Sequence, residues 1–262
     1  MTLSIAQYLL GIGCGALVGF VLGLVGGGGS ILAVPLMVYL VGVRDPHLAI
    51  GTSAFAVAAN AATGLVHHAR AGHVKWRCAG LFALAGIVGA TVGSTLGKAF
   101  DGQKLLFLFA LLMIGVGVLM LRRRTASGDP DVTLGLENAG KLAGFGLGTG
   151  AFSGFFGIGG GFLIVPGLTA ATGMSMINAV GSSLVAVTAF GLTTAINYSL
   201  SGLVDWALAS AFIAGGLVGS LVGTELARTL SKQKGRLSIV FAVLIFAVAA
   251  YMLFESAEAA WG

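Results

Sequence analysis

Gly23-Leu-Val-Gly26-Gly-Gly-Gly29-Ser30-Ile-Leu-Ala-Val-Pro35 decides the fold, because the chain uses it twice. The second copy is Gly154-Phe-Phe-Gly157-Ile-Gly-Gly-Gly161-Phe-Leu-Ile-Val-Pro166. Each copy is a glycine cluster, a short apolar run and a proline. Clustered glycines break a helix and let other groups approach the backbone. Neither copy has an ionised neighbour: residues 1–43 and the 63 residues Leu142–Val204 contain no Asp, Glu, Lys or Arg. One helical crossing of a bilayer takes about 20 residues, so the second stretch must fold back on itself within the membrane.

Composition agrees. The 262 residues are 57% hydrophobic and 9% charged, with a mean hydropathy of +1.01. An ordinary soluble domain is about 25% charged. A transmembrane β-barrel would show short alternating segments; here the apolar runs are continuous. They cover 3–25, 30–42, 48–69, 76–97 and 105–121, then 140–157, 161–173, 177–200, 206–226 and 237–254. The expected fold is therefore an all-α polytopic membrane protein of five plus five segments. No basic n-region precedes the first run, which is expected to stay in the membrane. Cys14 and Cys78 make no disulfide framework and read as small core residues.

The halves match in order. At an offset of 131, Gly23, Gly26, Gly28, Gly29, Val34, Pro35 and Gly42 fall on Gly154, Gly157, Gly159, Gly160, Val165, Pro166 and Gly173. At 130, Gly51, Ser53, Thr63, Gly72, Trp76, Gly86, Gly89, Gly93 and Lys104 fall on Gly181, Ser183, Thr193, Gly202, Trp206, Gly216, Gly219, Gly223 and Lys234. The paired Pro, Trp and Lys identify an internal repeat. The expected organisation is a first membrane repeat over 1–121, a cytoplasmic linker over 122–139 and a second membrane repeat over 140–262.

Charge orients the repeats. With the Arg122–Arg124 linker in the cytoplasm, eleven of the 14 basic residues lie inside. Only Arg44, Lys98 and Lys104 lie outside. This obeys the positive-inside rule and places both termini in the periplasm. The net charge of +5 is thus a topology signal, not a nucleic-acid signal. The basic loop before Trp76 is inside and its counterpart before Trp206 outside, which predicts inverted-topology repeats. Ile31–Gly42 is too short to cross, at about 18 Å of helix against about 30 Å of hydrocarbon. The first two segments of each half are therefore expected to form a broken or re-entrant Gly-rich hairpin.

A helix starting after a glycine turn offers free N–H groups and the positive end of its dipole, a ready anion site. The two starts, at Ser30 and Gly161, are expected to face each other near mid-membrane. The candidate substrate-binding residues are Gly26, Gly27, Gly28, Gly29 and Ser30, with Gly157, Gly159, Gly160 and Gly161. Thr52, Ser53, Asn60, Ser182 and Ser183 join them, because amides and hydroxyls can donate to an anion without burying a charge. The competing role for a Ser or Thr is a bond to a carbonyl one turn back. The four-residue glycine spacings in 76–97 and 206–226 read as helix packing.

Other chemistries lack their parts. The Gly-Gly-Gly-Gly-Ser run has no Walker lysine, so no nucleotide cofactor is expected. Gly150-Ala-Phe-Ser153-Gly154 has the wrong spacing for a rhomboid-type protease, and no catalytic residue is assigned. His67, His68 and His73 sit at a segment end without a nearby carboxylate or thiol, so no metal site is expected.

The doubled glycine motif, with Ala49-Ile-Gly-Thr-Ser53 and Ala179-Val-Gly-Ser-Ser183, resembles the TauE/SafE family of sulfite and organosulfonate exporters. The resemblance spans nearly the whole chain. It implies a bacterial inner-membrane secondary transporter for a small sulfur-containing anion such as sulfite, sulfoacetate or another organosulfonate. Neither enzyme activity nor a nucleic-acid partner is expected, and the sequence does not fix an oligomeric state. Uptake of thiosulfate on the same fold is the alternative.

Overall fold

A computed structural model describes residues 4–122, 129, 132–158, 160–230 and 245–255. Gly159, Arg123, Arg124, Lys232, Lys234 and Arg236 lie outside the described residues. Among the described residues the chain is helical, apart from one isolated bridge between Asp129 and Met174. Helix α1 covers Ile5–Val25; a 3-10 segment Gly26–Leu32, a short α2 Ala33–Pro35 and a π turn Leu36–Leu40 follow. Then come α3 Pro46–Arg70, α4 Trp76–Ala99, α5 Gly102–Arg122, α6 Leu136–Phe156, α7 Gly161–Thr172, α8 Met176–Ser199 and α9 Trp206–Leu230. A final α10 covers Ile245–Glu255. Each of the ten apolar segments thus carries helix, and α1, α3, α4, α8 and α9 are long and apolar enough to cross a membrane.

Local signals set the helix ends. Asp45 starts α3 by accepting the His47 N–H at 2.9 Å, with Pro46 in the first turn. Such a cap satisfies one of the orphan donors of a helix start. Gly173 ends α7 in the left-handed conformation, φ +71°, and its N–H donates to the Thr169 carbonyl. Cys14 and Cys78 are free and buried.

Glycine faces hold the bundle together. A Cβ on Gly15, Gly19 or Gly23 of α1 would strike the backbone of Phe212, Gly216 or Ser220 on α9. A Cβ on Gly146, Gly150 or Gly154 of α6 would strike Phe82, Gly86 or Ala90 on α4. The two sets are the same contacts shifted by the repeat offsets, and in each pair the helices run parallel. The first helix of each half therefore packs on the fourth segment of the other half: α1 on α9, α6 on α4. The opposite face of α4 presents Leu84, Val88, Val92 and Leu96, all more than half exposed, and that of α9 presents Val218, Leu221 and Val222. Small residues inside and aliphatic residues outside suit a helix whose solvent is hydrocarbon. At the centre α3 and α8 run antiparallel, with Gly191 against Ala54 and Ala58 and Gly64 against Leu184.

Candidate functional site

The second glycine run makes a sharp turn between α6 and α7. Gly157 ends α6 at φ +68° and Gly160 precedes α7 at φ +64°. Only glycine takes this conformation without steric cost. Ile50 of α3 fills the space where a Gly157 side chain would be. Gly157, Gly160 and Gly161 are buried. The Gly160 carbonyl accepts from Leu163 and Ile164 at 2.9 and 3.0 Å, so the helical ladder starts there. The N–H groups of Gly161 and Phe162 precede it and point out of the helix end.

The first run has the same sequence pattern and a different backbone. Gly26–Leu32 forms seven residues of 3-10 helix, where runs beyond about four are uncommon. Gly29 abuts the Leu22 backbone, as Gly160 abuts Ser153. The 3-10 segment packs against α7 and α8, which brings the two runs into one region. Ser30, Gly29 and Gly161 are buried there.

The tip of the α6–α7 turn lies off the centre of α3. Ile50 stands eight residues before the centre of α3, about 12 Å along the axis. Helix α6 has 21 residues, about 31 Å of helix rise. Ser153 and Gly160 lie one turn nearer, about 6 Å from that centre.

The predicted side chains divide by partner. Thr52 Oγ1 accepts the Asp205 N–H and Ser182 Oγ accepts the Lys75 N–H, both at 2.9 Å. These are equivalent bonds at opposite ends of the α3–α8 pair, roughly 20 Å apart by helix rise. Ser53 and Ser183 donate to the Ile50 and Val180 carbonyls at 3.1 and 2.8 Å. Asn60 is fully buried against Gly216 of α9, and neither its Oδ1 nor its Nδ2 has a hydrogen-bond partner. Its equivalent in the second half is Phe190, packed against Gly86 in the same way.

The sequence reading missed three features. Ser153, fully buried, has a hydroxyl with no partner beside the α7 start. Its position inside a glycine run one turn before the break was the available signal. Lys98 Nζ donates to the Asn197 carbonyl and to Ser201 Oγ at 2.9 and 2.8 Å, fastening α4 to the end of α8. A cavity of about 730 Å³ opens where α1, the loop before α3 and the start of α9 meet. Gln7, Arg44, Asp45 and Asp205 line it, and the Thr52–Asp205 bond lies at its wall. At the other end the His68 and His73 rings lie 5.7 Å apart. Among the described residues no group of three metal-ligating side chains forms.

The family model described as sulfite exporter TauE/SafE matches residues 11–252. The chain belongs to the TauE/SafE family. A probable membrane transporter protein of Xylella fastidiosa is 54% identical over 97% of this chain and 98% of its own length. Another of Bacillus subtilis is 25% identical over 82% and 89%, and one of Haemophilus influenzae 28% identical over 72% of each. No solved structure matches. This TauE/SafE chain is thus a multi-pass membrane transporter, and its relatives carry transporter names, not enzyme names.

Proposed function

We propose that this transporter is a secondary carrier exporting a small sulfur-containing anion, sulfite or an organosulfonate, across the bacterial inner membrane. The observation that carries the reading is a helix, α7, that begins buried inside the bundle at a glycine turn. In hydrocarbon, irregular backbone persists only where protein or a polar cavity receives it. Broken helices at a repeat interface supply the substrate site of many carriers. The family's description supports the sulfur anion.

The reading takes 1–121 and 140–262 as inverted repeats joined by a cytoplasmic linker over 122–139, with both termini periplasmic. The antiparallel course of the equivalent helices α3 and α8 supports the inversion. Gly26–Gly29, Ser30 and Asn60 from one repeat and Gly157, Gly159, Gly160 and Gly161 from the other line the path. Thr52, Ser53, Ser182 and Ser183 stand on the helices beside it. The halves rock in alternation, and the cavity at Arg44 and Asp205 is the outer vestibule.

The test is flux from proteoliposomes loaded with sulfite, sulfoacetate, thiosulfate or chloride. Efflux of sulfite or sulfoacetate, lost in Gly28→Leu and Gly157→Leu, is the expected result. Transport of thiosulfate alone would replace the substrate, and transport of none would overturn the reading.

A further inference from the structure

Of the two glycine runs, only the second joins a regular helix start to an unpaired hydroxyl. We propose that Ser153 Oγ and the N–H groups of Gly161 and Phe162 form a neutral oxyanion site for one monoanionic –SO3 group. This rests on the anion-carrier reading above and specifies which residues hold the anion and what charge it carries.

Three observations converge. Helix α7 is 12 residues long, so its first N–H groups carry a real dipole end. Ser153 is 0% exposed and its hydroxyl has no hydrogen-bond partner. It is also adjacent to that helix start: a Cβ on Gly160 would lie 2.7 Å from Ser153 Cβ and 2.9 Å from Oγ. A buried hydroxyl without a partner is unfavourable for folding. Among the described residues, the buried hydroxyls of Ser53, Ser94, Ser183 and Ser220 donate to a carbonyl of their own helix, while those of Thr194 and Tyr198, which also lack a partner, stand within α8 and not at a helix start. Ser153 makes no such bond, and its proton remains for a ligand. Glycine at 160 leaves the space that lets the hydroxyl meet the helix end.

The first run is built otherwise. Leu22 occupies the position equivalent to Ser153, and the backbone after it is 3-10 helix. The two halves are therefore unequal, and one repeat holds the oxyanion.

Charge selectivity follows from the same residues. The site contributes hydroxyl and amide donors and no cation, since Leu142–Val204 contains no Lys or Arg. Lys98, at the neighbouring end of α4, is bound to Asn197 and Ser201. The cost of burying an ion rises with the square of its charge, so a group that carries two charges, such as sulfate, is rejected where a singly charged –SO3 group is held, whatever the rest of the molecule carries outside the site. A sulfonate has three oxygens for three donors and one charge.

Calorimetric titration of the purified protein with methanesulfonate and with sulfate tests this, alongside Ser153→Ala and Ser210→Ala. Ser210 donates to its own helix at Trp206 and serves as the control. The wild type and Ser210→Ala are expected to bind methanesulfonate and to reject sulfate. Ser153→Ala is expected to lose at least tenfold in methanesulfonate affinity. Its ligand-free melting temperature should stay level or rise, because an unpaired buried hydroxyl has been removed. Unchanged affinity in Ser153→Ala overturns the hydroxyl assignment and leaves the anion carrier standing. Equal binding of sulfate overturns the monoanion site. Failure of the wild type to bind either anion overturns both this proposal and the reading beneath it.

Discussion

Thr52 and Ser182 do one task at opposite ends of the molecule. Each hydroxyl accepts the N–H of the residue that precedes a helix in the other half, Asp205 before α9 and Lys75 before α4. Thr52 and Ser182 are fully buried, and the donors Asp205 and Lys75 are half-buried. Removing the acceptor strands a backbone donor, at about 1–3 kcal/mol. Thr52→Val and Ser182→Ala should each lower stability by that amount in a thermal melt in detergent, and Thr52→Ser should not. The hydroxyls themselves were legible in the sequence as a repeated polar pair within apolar segments. Their partners were not, because the bonds span 153 and 107 residues. Asn60 shows the reverse: its polarity was visible, and its lack of a partner belongs to the packed bundle alone. Ser153 was equally visible, yet its glycine neighbours matter only once the chain doubles back and sets Gly160 against it.

At the scale of helices, glycine position decides pairing. Gly89 and Gly93 of α4 meet the Leu147 and Ala151 carbonyls of α6, while Gly80 of the same helix has open space beside it. Gly93→Val must push two backbones apart and should destabilise by about 1–3 kcal/mol, as overpacking does. Gly80→Ala meets nothing and gains helix propensity, so its melt should be unchanged or raised by up to about 1 kcal/mol. A comparable loss in both variants would mean that backbone entropy, not the α4–α6 contact, sets the cost. The spacing announced these ridges as packing surfaces. It did not announce the partner, because a small-residue stripe fits any helix that also carries one, and α1, α4, α6 and α9 all do. The breaks divide in the same way. Both runs read as interruptions, and α7 spans Gly161–Thr172, within one residue of its apolar segment at 161–173. The first run instead tightens into a 3-10 segment and relaxes through a π turn at Leu36–Leu40, a compensation no glycine count reveals.

For the whole molecule, the consequence is that the two halves of the chain are interlocked. Helix α1 belongs to the first half by sequence and packs on α9 of the second; α6 belongs to the second and packs on α4 of the first. Each half on its own therefore leaves two glycine faces without partners. Those faces lack the side chains that would let lipid cover them well, and association through close backbone approach is what stabilises such helices in a bilayer. The partly buried N–H groups of Lys75 and Asp205 would also lose their acceptors, since each is supplied by the opposite half. A chain cut between residues 128 and 129 tests this directly. The two pieces, expressed together, should copurify through a tag on either one and melt as cooperatively as the intact protein does. Expressed singly, each should aggregate or be degraded. A single half that is monodisperse, with a cooperative melt near that of the full chain, would show that the cross-half contacts are dispensable, and the exchange of first helices would then be a mode of docking two finished units.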